Sequence, residues 1–213
     1  MSTRIRLRRA HGERGAAIVE YAFVSVILLL IVSGATDYGI AWRSGLSLTE
    51  AARTGARVGS GQADNRAADY NALTGIRAAL ESSGTLDGVE FVVIYRSTTA
   101  SGTVPSSCAR LSPTPTGTCN VLTGEQLVNL DENSFHITWA ADPEDPPTGG
   151  TGCLRDSSSL RAGWCPTSRN NTQASADYYG VYIQYRQDFL FPTLGEGMTI
   201  GRNAVMRLEP PSV

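Results

Sequence analysis

The strongest constraint on this chain is an apolar run near its start. Residues 16–36, AAIVEYAFVSVILLLIVSGAT, carry one charge, Glu20. A helix over this run is about 31 Å long at 1.5 Å per residue, the thickness of a bilayer's hydrocarbon core. Arg4, Arg6, Arg8, Arg9 and Arg14 precede it against Glu13 alone, so residues 1–15 carry +4 and the remainder −6. A basic head, an apolar run and an acidic body predict insertion with the N-terminus in the cytoplasm and the rest outside it. Membrane lipid is therefore an expected partner. Nucleic acid is not, because no basic patch with interleaved aromatics follows.

Glu20 needs an explanation, since a carboxylate inside a membrane helix is costly unless it lies near an end or is compensated. One reading leaves it at headgroup level. Another starts from Gly15: a cut after this residue makes Ala16 a new α-amine and Glu20 the fifth residue of the mature chain. There a negative charge suits the helix N-terminus. It also pairs with the α-amine of a neighbouring subunit when helices bundle in an apolar medium. Ordinary secretion competes with both, because Ser33-Gly34-Ala35 fits a small-x-small signal-peptidase site and leaves Thr36 first. Glu20 within the apolar run, and the length of the run after it, argue against that cut. Arg8-Arg9 alone makes a poor twin-arginine signal.

Beyond the run, residues 37–59 continue as a helix. Ala41, Gly45, Leu48, Ala52, Gly55 and Gly59 recur every three or four positions and form one face of mainly small residues, which lets a neighbouring element approach closely. That neighbour is either the protein's own sheet or another subunit. Gly59-Ser60-Gly61 predicts a break, Asp64 a cap for a second helix with a stripe of Tyr70, Leu73, Ile76 and Leu80, and Gly84 its end. Strands are predicted over 89–95, 135–141, 178–191 and 200–208, with a hairpin loop from Phe191-Pro192 to Gly197. An antiparallel sheet of about four strands packed on the helices gives an α+β body.

Two long connections, 97–130 and 142–177, are rich in Ser, Thr, Pro and Gly. Each contains two of the four cysteines: Cys108 and Cys119, then Cys153 and Cys165. An even number outside the membrane points to disulfides in an oxidising compartment. Of the three connectivities, Cys108–Cys119 with Cys153–Cys165 closes the shortest loops, each contributing roughly 2–3 kcal/mol in the chain-entropy picture. Neither spacing suits zinc. The loops are read as surface displays that either contact a partner or decorate the body.

The string Gly12-Glu13-Arg14-Gly15-Ala16-Ala17-Ile18-Val19-Glu20-Tyr21-Ala22, followed by Asp37-Tyr38-Gly39 and Ala51-Ala52-Arg53-Thr54-Gly55-Ala56-Arg57, resembles the N-terminal signature of TadE-like pseudopilins of the Tad (tight adherence, Flp-type) pilus system. Met206-Arg207-Leu208-Glu209-Pro210 is weakly similar to that family's closing strand. The resemblance implies a prepilin peptidase cutting between Gly15 and Ala16, with Glu20 and Tyr21 serving processing and assembly. It implies other pilin or pseudopilin subunits and a Tad-type membrane platform as partners. A chain this long is a minor pilin or pseudopilin rather than a major Flp pilin, which is little more than the helix. The alternative is a membrane-anchored or secreted binding module, such as an adhesin, outside any pilus.

Catalytic chemistry is hard to assemble. His11 lies in the leader, and His136, in a strand, reads as structural or surface. No G-x-S-x-G, H-E-x-x-H or Walker A string occurs. Gly149-Gly150-Thr151-Gly152 lacks the lysine of a phosphate loop. Asp142, Glu144 and Asp145 lack the spaced ligands of a calcium loop and read as a solvated turn. Neither an enzyme nor a bound cofactor or metal is expected. The chain thus divides into a basic leader (1–15), a membrane helix (16–36), its extracytoplasmic continuation (37–60) and an α+β domain (61–213).

Overall fold

In a computed structural model, the structure describes residues 13–109, 118–142, 145–155, 163–191 and 195–210. Helix α1, Glu13–Gln62, runs unbroken for 50 residues, about 75 Å at the standard rise. The break expected at Gly59-Ser60-Gly61 falls later, at Ala63, a non-glycine residue with φ +43°. Packing on the body offsets the helix-weakening glycines, so the helix continues past them.

Helix α2, Ala68–Ser83, follows. Asp64 does not cap it: the N-cap position is Ala67, with no side-chain cap. The Asn65 side-chain oxygen accepts from the Ala67 N–H at 2.8 Å, and Asp64 Oδ1 accepts from Asn171 Nδ2. Gly84 closes α2 in the left-handed conformation (φ +70°), its N–H donating to Glu81 and Leu80 carbonyls, as a Schellman-type end requires.

The main sheet has the order β2-β1-β5-β6, with β1 Val89–Ser97, β2 Cys119–Thr123, β5 Tyr178–Asp188 and β6 Gly197–Arg207, all antiparallel. The α+β fold and the four-stranded antiparallel sheet stand as expected, but its membership differs. Residues 135–141 contribute only β3, Phe135–Thr138, which pairs with β4, Gly149–Leu154, in a separate two-stranded ribbon. β2 takes the fourth place, inside a stretch read as loop. Its five residues alternate too little to be seen by periodicity, and Cys108–Cys119 holds its first residue. The two long connections therefore carry β2, α3 (Gly124–Val128), β4 and the 3-10 turn η2 (Pro166–Ser168); a second 3-10 turn, η1 (Glu132–Ser134), lies between them.

The core lies where the second half of α1 meets α2 and the sheet. Leu48, Leu73, Ile76, Leu80, Val92, Ile94, Val181 and Ile183 are fully buried, each worth roughly 1.5–3 kcal/mol of transfer free energy. β1 is buried almost continuously, as a central strand covered on both faces must be.

Candidate functional site

The two halves of α1 have opposite surroundings. From Gly15 to Val32 every residue is exposed except the half-covered Ser25, and the helix is long and apolar enough to cross a membrane. From Ser33 onward a buried stripe appears at positions 33, 37, 41, 44, 48, 51 and 55. One helix is thus half bare and half scaffold. Within the bare half and just beyond it, Ser25, Ser33 and Thr36 donate to the carbonyls of Ala22, Leu30 and Val32 at 2.8–3.0 Å.

Gly15 and Ala16 lie in the first turns of α1, and Cβ space at Gly15 is open for 4 Å. Glu20 and Tyr21 are exposed on the bare half, and among the described residues Glu20 makes no ion pair or hydrogen bond. The remaining leader residues, 1–12, lie outside the described residues.

The small-residue face meets the chain's own body. A Cβ at Gly55 would collide with Ile76 of α2, and one at Gly59 with the Tyr179 ring of β5; at Gly45 it would lie 2.9 Å from Arg202 Nη2 of β6. Ala52 is fully buried. This face is filled intramolecularly at Gly45, Gly55 and Gly59.

Both disulfides form with the favoured pairing, Cys108–Cys119 and Cys153–Cys165. Their loops are not simple surface displays, because Cys108, Cys119 and Cys153 are buried. The second loop also sends residues inward to a polar node that the sequence reading did not find. Asp69 Oδ1 accepts from Arg169 Nη2 (2.6 Å) and from the Tyr179 hydroxyl (2.9 Å), while Asp69 Oδ2 accepts from Asn120 Nδ2 (2.9 Å). Asn120 Oδ1 in turn accepts the N–H groups of Gly163 and Trp164. The Arg169 guanidinium stacks 4.4 Å from the Trp164 ring and 4.9 Å from that of Tyr179. Burial, reinforced by the Asp69 charge and opposed by Arg169, pushes the Tyr179 hydroxyl well above its ordinary pKa of 10.0. The only sequence signal for the node was an Asp in the first turn of a helix and an Arg near a cysteine, too common to single out.

His136 is exposed on β3, its Nδ1 facing the Thr151 N–H at 3.4 Å. Asp142 and Asp145 belong to a turn closed by the Asp145 N–H donating to the Asp142 carbonyl; Glu144 lies outside the described residues.

At the junction between the two halves of α1, Asp37 is buried to 1% exposure, and its carboxylate accepts the backbone N–H groups of Leu190 (2.9 Å) and Phe191 (3.4 Å) from the β5–β6 turn. Ser44 donates to Gln187 Oε1 at 2.8 Å just behind it. The Asp37-Tyr38-Gly39 element therefore latches the hairpin to the helix.

Residues 15–57 match the family model described as TadE: TadE-like protein. No curated protein and no solved structure matches the chain. The matched stretch takes in the exposed half of α1, the Asp37 latch and the A-A-R-T-G-A-R run, so the resemblance read from the sequence holds over this segment.

Proposed function

We propose that this TadE-like chain is a non-enzymatic pseudopilin or minor pilin, anchored in the cytoplasmic membrane by the first half of α1 and working in a Tad-type pilus assembly. A prepilin peptidase cuts between Gly15 and Ala16. The observation that carries the reading is a bare apolar half-helix, bearing a single unpartnered carboxylate one turn beyond a glycine, fused to a folded body and lying within the TadE-like match.

Gly15 in the first turn suits cleavage. Helix ends fray, and glycine is a poor helix former, so the segment opens readily into the extended form a peptidase needs. After the cut, the Ala16 α-amine and the Glu20 carboxylate of a neighbouring subunit neutralise each other as helices bundle. Either charge left alone in hydrocarbon is strongly unfavourable. The body stays on the far side of the membrane, where its disulfides persist.

The N-terminal residue of the mature protein tests processing. Ala16 is expected, and Gly15→Leu should leave the uncut chain. Thr36 would indicate ordinary secretion, and Met1 or Ser2 an uncut anchor displaying a binding module. Glu20→Ala is expected to be processed yet fail to enter the assembly, read by crosslinking to other pilin subunits; full incorporation would remove the charge-pairing step.

A further inference from the structure

The β5–β6 turn ends in two exposed hydrophobic residues, Leu190 (66% exposed) and Phe191 (44%). They do not lie at the far tip of the body. Phe191 shares an apolar recess with Val26, Leu29, Leu30, Val32 and Ser33 of α1. On the reading that residues 16–36 span the bilayer, on which this inference rests, those helix positions lie roughly 5–15 Å inside the span from its outer end at 1.5 Å per residue.

We infer that the β5–β6 turn is a second membrane contact, with Leu190 and Phe191 seated among the acyl chains of the leaflet nearest the body. Backbone donors in hydrocarbon must be satisfied, and those of Phe189, Leu190 and Phe191 are: Leu190 and Phe191 donate to the Asp37 carboxylate, and Phe189 donates to the Glu196 carbonyl at 3.2 Å. Arg186, Asp188 and Glu196 stand exposed behind the turn, which sets the depth by holding them at headgroup level. Tyr38 (64% exposed) and Trp42 (72%) project from α1 about 3 and 9 Å beyond the span at 1.5 Å per residue, the level favoured by interfacial aromatics. A lone helix leaves the body free to swing; a helix plus a latched turn fixes its tilt. The recess is continuous with the lipid-facing surface of the same helix, which favours lipid over a second protein chain as its occupant.

The test uses the full chain in phosphatidylcholine vesicles containing a nitroxide lipid labelled near the headgroup end of the acyl chain. Phe191→Cys, Ile31→Cys and Ser82→Cys are each labelled with an environment-sensitive fluorophore. The expected result is a loss of emission at position 191 as large as that at 31, with none at 82. Asp37→Ala should reduce the loss at 191 and leave that at 31 unchanged. Quenching at 31 with position 191 open to aqueous iodide places the turn in water and overturns the inference, leaving the anchor intact. Position 191 shielded from both lipid nitroxide and iodide means a second protein copy covers it, which also overturns it. No quenching at 31 removes the membrane span itself.

Discussion

At the level of single residues, the glycines of the two helices make opposite demands. Gly59 faces the Tyr179 ring, which is itself fixed by Asp69, so a Cβ there has nowhere to go. Gly59→Ala gains helix propensity of about 1 kcal/mol but forces an overpacked core at roughly 1–3 kcal/mol. A net loss of stability is expected, visible as a lowered urea midpoint. Gly75, in α2, meets nothing nearer than Thr54 Cγ2 at 3.5 Å. Gly75→Ala is expected to raise stability by up to about 1 kcal/mol. If both substitutions move the midpoint the same way, the Gly59 contact is not what sets its identity.

Among elements, the Asp69–Arg169 node joins α2, β2, β5 and the segment from Trp164 to Arg169 that leads out of the second disulfide loop into and past η2. Both charged side chains are almost fully buried, at 2% and 0% exposure. Removing one partner strands the other charge, so Arg169→Met or Asp69→Leu alone should destabilise by about 3–5 kcal/mol. The double variant should recover much of that loss, a coupling read from a double-mutant cycle in urea. The same node makes stability sensitive to alkali. Burial raises the pKa of Tyr179 in the folded state, and burial acts in the same direction on Tyr95 and Tyr182. The unfolded tyrosine releases its proton near pH 10 while the folded one keeps it, so the unfolded state binds fewer protons. Stability is complete below about pH 10 and then falls with rising pH, by up to about 1.4 kcal/mol per pH unit for Tyr179. Urea melts between about pH 9 and pH 11 measure it, and Tyr179→Phe should flatten the decline.

For the whole molecule, the bare half of α1 and the body are energetically separable although they share one helix. Residues 16–32 bury nothing in the core, whose stripe begins at Ser33 and Asp37. A chain starting at residue 37 is therefore expected to fold without detergent, with both disulfides formed and a denaturation midpoint close to that of the full chain. A large drop would mean that the exposed half of α1 supports the body. Without the bare half of α1, this body also provides a direct subject for the urea melts above.

The sequence by itself determined the features that depend on local order. A charge-poor run of bilayer length marks the bare half of α1, Gly15 stands out before it and Glu20 within it, and the 3.6-residue period shows the small-residue face. Short cysteine spacings favoured the pairing that forms, and Gly84 marked the end of α2. Tertiary structure alone decided what lay between distant segments. It placed β2 rather than 135–138 in the main sheet, because strand membership depends on which edge a disulfide-held segment reaches. It turned the small-residue face inward onto Ile76 and Tyr179, brought Asp69 and Asn120 together with the Trp164–Arg169 segment, and bound the β5–β6 turn to Asp37. Each of these contacts joins residues tens of positions apart or more, and no pattern within a short window of sequence encodes a partner that far away.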